Sequence, residues 1–101
     1  MPKGYLYADI EVTDAAEFEK YRQRVPATIA AYGGRYLVRG GDPEIIEGAP
    51  NNRRCVILEF ESRERLLEWY HSPEYKDVKA IRLRSSLTDA VVMTGYEGTA
   101  A

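Results

Sequence analysis

Cysteine and histidine are nearly missing from this chain: its 101 residues include one of each, Cys55 and His71. That excludes a disulfide framework and any zinc site built from several thiolate or imidazole ligands within one chain. A charge surplus is missing too. Fourteen Lys and Arg stand against sixteen Asp and Glu, for a net charge of −2. This argues against nucleic acid as the partner, because phosphate binding needs a basic surplus or a dense basic face. No stretch supplies the unbroken apolar run of about 7–15 residues that a secretory signal needs. Nothing approaches the roughly 20 apolar residues of a membrane span. The expectation is a cytoplasmic protein without membrane contact, its lone thiol kept reduced. Gly33-Gly34 and Gly40-Gly41 lack the spacing of a dinucleotide-binding or phosphate loop. No metal site and no cofactor are expected.

Hydrophobic residues make up 45% of the chain and charged residues 30%. This is the composition of a soluble globular chain of single-domain length, with enough sequence for one core. The unusual figure is eight Tyr against two Phe and one Trp.

Residues 5–12 alternate, with Leu6, Ala8, Ile10 and Val12 on one face and Tyr5, Tyr7, Asp9 and Glu11 on the other. Period two with one apolar face predicts a half-buried strand. Asp14 with Glu17 three residues on is a capping-box pattern that opens a helix. Phe18, Tyr21, Val25, Ile29 and Tyr32 continue it as one stripe. Pro26 predicts a kink or brief break, and Gly33-Gly34 ends the helix. Tyr36–Val38 and Glu44–Ile46 look strand-like around Gly40-Gly41 and Pro43, as a bulged strand or two short ones. Residues 49–52 are turn chemistry. Residues 54–61 alternate again. Ser62 caps a second helix carrying Leu66, Trp69 and Tyr70. Ser72 with Pro73 starts a third at once, with Tyr75, Val78 and Ile81 or Arg82 facing inward. Residues 88–96 form a last strand, and residues 98–101 a frayed tail.

The order β-α-β-β-α-α-β predicts an α+β ferredoxin-like sandwich, with helices on one face of an antiparallel sheet of four or five strands. The opposite face would carry Tyr5, Tyr7, Asp9, Cys55, Ile57, Glu59 and either Val91 and Met93 or Val92 and Thr94. A semi-apolar face of that size marks an interface or ligand site. Two such sheets packed face to face as a two-fold homodimer would hide it.

The segments GGRYLVRGG, RCVILEFES and above all WYHSPEYKDVKAIRLRS resemble the dimeric α/β-barrel superfamily. Within it they are similar to the short bacterial domain-of-unknown-function family numbered thirteen-thirty, over roughly residues 3–98. The resemblance implies that two protomers close their sheets into one barrel whose lumen can hold small molecules. It implies no activity. Related barrels include cofactor-free monooxygenases, muconolactone-type isomerases, haem-degrading enzymes and stress-induced proteins, so the shared fold does not select a function.

Candidate site residues follow from parity and position. Glu59 and Asp9 share the lumen-side parity. A carboxylate in a semi-apolar cavity would have a raised pKa and serve as a general base. The structural alternative pairs both with Arg39, Arg54 or Arg82. His71, at a helix-to-helix corner, is a candidate catalytic base or haem ligand, or else a surface residue favoured by a helix C-terminus. Arg39 and Arg82 are placed to clamp a carboxylate or phosphate bidentately, or to form salt bridges with Glu47, Glu59 or Glu74. Tyr5 and Tyr7 would stack on a ligand or donate to it. Tyr75 anchors its turn, and Cys55 is an apolar filler. The expected ligand is a small organic molecule. The expected function is a cofactor-independent monooxygenase-like or isomerase-like enzyme, against a non-catalytic dimeric scaffold.

Overall fold

The computed structural model describes residues 2–48 and 54–97. The turn expected at 49–52 and the tail expected at 98–101 lie outside those residues. Strand β1 (Gly4–Val12) carries the alternation read from the sequence: Leu6, Ala8 and Ile10 are buried, and Tyr7 is exposed. Asp14 caps α1 (Ala15–Ala31), its carboxylate accepting from the Glu17 N–H at 3.1 Å. The reciprocal half of the capping box is not made. The Glu17 carboxylate instead accepts from Arg84, 67 residues further along the chain, and from Lys20, while the Asp14 N–H donates to the Ser85 carbonyl at 3.1 Å.

Helix α1 runs through Pro26 without the expected break. Proline cannot donate to the carbonyl four residues back, which here is Arg22. The guanidinium of Arg39 takes that carbonyl at 2.8 Å. Gly33, at φ +75°, then supplies the left-handed residue that ends the helix. Gly34 has a steric reason: a Cβ there would lie 2.5 Å from the Phe60 ring.

Strand β2 (Arg35–Gly40) has a bulge between Tyr36 and Val38. The strand-like 44–46 segment is not a strand. Gly40, Gly41 and Asp42 all have positive φ, at 91°, 66° and 45°, and turn the chain off the sheet. Strand β3 (Arg54–Phe60) leads to α2 (Arg63–Tyr70), capped by Ser62, and α3 (Pro73–Ser85), capped by Ser72. Helix α3 runs directly into β4 (Ser86–Thr94), which starts and ends two residues earlier than expected. The hydroxyls of Ser85 and Ser86 donate to the carbonyls of Ile81 and Arg82 at 2.6 and 2.7 Å. Each buried hydroxyl thus finds a backbone acceptor four residues back.

The four strands form one antiparallel sheet in the order β2-β3-β1-β4. All three helices cover one face, giving a ferredoxin-like sandwich. The core joins Leu6, Ile10, Leu58 and Phe60 to Phe18, Val25 and Ile29 of α1 and to Leu66, Trp69, Tyr75 and Val78 of α2 and α3. Trp69 is 1% exposed, stacks 4.2 Å from Tyr75, and donates its indole N–H to Thr28 at 3.0 Å. Such a satisfied buried bond contributes about 1 kcal/mol and fixes the ring. On the other face Tyr5 pairs with Glu59 and Met93, Tyr7 with Ile57 and Val91, and Asp9 with Cys55 and Asp89. Of the two sequence alternatives, Val91 and Met93 point outward, and Val92 packs on the core.

Candidate functional site

A cavity lies beneath the helices, on the face opposite the one that the sequence marked for a ligand. Strand register explains the hollow. Across the sheet, Arg39, Val56, Ala8 and Ala90 fall in one row. A larger row of Tyr36, Leu58, Leu6 and Val92 flanks it on one side, and Arg54, Ile10 and Thr88 on the other. Two alanines at the middle and edge of the row leave space that the helices do not fill. Phe18, Tyr21 and Val25 of α1 roof it, with Trp69, Tyr70, Tyr75 and Arg82 from α2 and α3. About 40 Å³ is open to the centres of water-sized molecules. That is room for a few waters, or for a small group once the long arginine side chains shift.

The polar groups of this cavity converge. Tyr21 and Tyr75 share a hydroxyl–hydroxyl bond of 2.9 Å, and the Arg82 Nε donates to the Tyr75 hydroxyl at 3.4 Å. Burial, reinforced by Tyr75, pushes the Tyr21 phenol well above its ordinary pKa, so it stays neutral. Burial is the largest influence on the Arg82 guanidinium and opposes its charge; its pKa rises above the ordinary value through the charge that Tyr75, Tyr21 and Tyr70 carry once ionised, so neutral phenols give it no counter-charge. Arg82 is 6% exposed. At the edge of the cavity stand Arg22, Arg39 and Arg54, with Arg39 4.8 Å from the centre of the Tyr36 ring. Burial, then repulsion by Arg22 and Arg39, lowers the pKa of Arg54. Among the described residues no Asp, Glu or His lines the cavity.

The expected site residues therefore divide. Arg39 and Arg82 line the cavity. Neither pairs with Glu59, and the Arg39 guanidinium holds a backbone carbonyl instead. Tyr5, Tyr7, Asp9 and Glu59 lie together on the open face. There the Tyr5 hydroxyl donates to Glu59 at 2.8 Å, and Arg35 donates to the same carboxylate at 2.8 Å. The Arg35 bond first, then the Tyr5 bond, holds Glu59 below the ordinary carboxylate range, opposite to the rise a general base requires. The Tyr5 phenol rises in turn, chiefly through its bond to that carboxylate. His71 ends α2 on the surface beside Lys76 and Lys79, in an open groove that shares Tyr70 with the cavity but lies outside it. The structure thus brings neither Glu59 nor His71 to Arg39 and Arg82.

Sequence reasoning missed Arg22, Arg54, Tyr36 and the alanine gap. Arg54 shares the parity of Val56, Leu58 and Phe60, and that signal was available. Tyr75 is a wall of the cavity as well as a buried anchor. Among the described residues, no three His, Cys, Asp or Glu side chains gather into a metal site. No helix of the described residues is long and apolar enough to cross a membrane.

Comparison with known proteins places the geometry. Residues 3–96 match the domain of unknown function DUF1330. No curated protein matches significantly. Among solved structures, a protein of unknown function from Rhodopseudomonas palustris, RPA0582, superposes with a TM-score of 0.76 at 12% identity, covering 95% of this chain and 84% of that one. SnoaB, a cofactor-independent oxygenase from Streptomyces nogalater, superposes at 0.66 with 13% identity and 96% coverage of both chains. A dimeric ferredoxin-like protein of unknown function from Thermobifida fusca gives 0.63 at 13% identity, covering 92% of this chain and 91% of that one. At such identities the likeness shows the fold.

Proposed function

The chain belongs to the DUF1330 family, and from that premise we propose that it is a homodimer whose protomers each bind a small organic molecule beneath the helices. The observation that carries this reading is the cavity itself. Its walls are aliphatic and aromatic, and its few polar groups converge on Arg82, Tyr21 and Tyr75. Apolar walls with a few converging polar groups are the usual make-up of a small-molecule site; the 40 Å³ admits a ring only when Arg22, Arg39 and Arg54 at its edge swing outward. The open sheet face then serves the partner. Tyr7, Leu87, Val91 and Met93 stand 37–58% exposed there, a semi-apolar surface suited to a second copy. The dimeric relative from Thermobifida fusca supports the same assembly. Sedimentation at twice 11.5 kDa is expected; a monomer at micromolar concentration would remove the dimer from this account.

The reaction we propose is cofactor-independent oxygenation, the activity named for SnoaB. An activated CH2 group, acidic enough to give its proton to a water at the cavity mouth, leaves a carbanion that reacts with dioxygen; the peroxide takes that proton back and eliminates one water, leaving a carbonyl. The carbon gives up four electrons and dioxygen accepts four, so no other reductant enters. This chain's part is to hold an aromatic ring of the substrate against Trp69 and Tyr75 and to stabilise the developing negative oxygen with Arg82 and the tyrosine hydroxyls. One observation favours a second reading, a non-catalytic binding module: no Asp, Glu or His among the described residues lines the cavity to take the proton.

Trp69 is the only tryptophan and lines the cavity, so its fluorescence reports occupancy. A panel of aromatic and conjugated compounds is expected to contain members that quench it. Ala8→Val, which narrows the hollow at its centre, is expected to abolish the quenching while the protein stays folded. Quenching unaffected by Ala8→Val would move the ligand elsewhere. Oxygen uptake with bound compounds then separates the enzyme from the binding module, at one dioxygen consumed per carbonyl formed.

A further inference from the structure

We infer that the ligand of this cavity is an organic anion, an aromatic or conjugated carboxylate, phenolate or enolate whose charged oxygen lies on Arg82. The inference deepens the cavity reading above and rests on it. Its foundation is a buried guanidinium without a counter-ion. Arg82 is 6% exposed, and its side chain's one hydrogen-bond partner among the described residues is the Tyr75 hydroxyl, at the long distance of 3.4 Å. The acids of α1, the helix packed against α3, are engaged elsewhere. Glu17 binds Arg84 and Lys20, and Glu19 binds Arg22. Tyr21 and Tyr75 bond to each other, and burial keeps the Tyr21 phenol neutral. Among the described residues no group facing Arg82 therefore supplies a negative charge. Stranding a guanidinium in this way is costly. A carboxylate or enolate entering the cavity would supply the missing charge with hydrogen bonds that match the planar fork.

The rim repeats the pattern. Arg22, Arg39 and Arg54 share the cavity edge, close enough that the first two depress the pKa of the third. Among the described residues the acid that faces them is Glu19, and it is bonded to Arg22. The Arg22 Nε is buried without a hydrogen bond. Arg39 is held in place by the carbonyl that Pro26 leaves free. Like charges gathered at the edge of a low-dielectric slot focus a positive field and draw anions inward.

The experiment is a Trp69 fluorescence titration with benzoate and 2-naphthoate, their matched alcohols, and their matched amines. The acids are expected to bind at least tenfold tighter than the alcohols, the amines weaker than both, and the acid preference to shrink as salt rises. In Arg82→Met the acid and alcohol are expected to bind alike. Arg54→Gln, at the half-exposed rim, is expected to weaken the acids severalfold and leave the alcohols unchanged, and it serves if Arg82→Met does not fold. Acids and alcohols binding wild-type protein equally would overturn the anion assignment and leave the cavity reading standing. Failure of all six probes to affect Trp69 would overturn both. An acid preference that survives Arg82→Met in folded protein would overturn the assignment to Arg82.

Discussion

Replacing Arg82 by methionine should make the protein more stable while removing its preference for anions. Most substitutions of a buried residue destabilise, by about 0.5–3 kcal/mol. Here the wild-type side chain is a charge in the interior with one long bond to a phenol. Losing that bond costs roughly 1 kcal/mol. Relieving an uncompensated buried charge returns several kcal/mol. Methionine is unbranched and flexible, so it can follow the path of the arginine stem without a new cavity. The expected net gain is about 1–3 kcal/mol. A domain of this size moves by roughly 4–8 °C per kcal/mol, so the melting temperature should rise by at least several degrees. The assay is urea unfolding at one fixed protein concentration, because a dimer's stability depends on concentration. A loss of more than about 1 kcal/mol would refute the reasoning. It would mean that Arg82 is already compensated within the fold, leaving nothing for a ligand to supply.

Other perturbations test other parts of the account. Pro26→Ala restores an N–H that competes with Arg39 for the Arg22 carbonyl. The helix should gain stability and benzoate should bind severalfold more weakly; unchanged affinity would separate Arg39 from the site. Gly34→Ala drives a methyl to within 2.5 Å of the Phe60 ring and should cost about 1–3 kcal/mol in chemical unfolding. Glu59 has a folded-state pKa below its ordinary value of 4.5. Its contribution is therefore present above that pH and lost as the pH falls through the folded value. Thermal unfolding from pH 7 to pH 2 should show the wild-type advantage over Glu59→Gln shrinking in acid. An advantage constant across that range would show that the carboxylate charge carries none of it.

Much of the fold is written in local patterns that the three-dimensional structure leaves intact. The alternation of β1, the extended run of β3 and the caps at Asp14, Ser62 and Ser72 are short-range signals, and each appears where the sequence placed it. The departures arise where distant residues intervene. Pro26 does not break α1, and its orphaned carbonyl is taken by Arg39, 17 residues away. The 44–46 segment has strand composition, but three residues at positive φ separate it from the sheet. The site was only half legible. Parity separated the two faces of the sheet correctly, and the face with mixed tyrosines and carboxylates drew attention as a lumen. A periodic pattern cannot show that Ala8 and Ala90 fall side by side across two strands and leave a hollow under the helices. Nor can it show that Arg82, one turn beyond Val78, points into that hollow without an acid to meet it. Arg39, at the end of its strand, and Arg82, on the inward stripe of its helix, are the two candidates that the fold brings to the cavity.

The most direct measurement is the position of a bound acid in a crystal of the dimer soaked with 2-naphthoate. The account predicts the ring between the helices and the sheet, against Trp69 and Tyr75, with its carboxylate on Arg82. A ring lying between the two sheets, against Tyr5, Tyr7 and Met93, with the cavity beneath the helices empty, would contradict it.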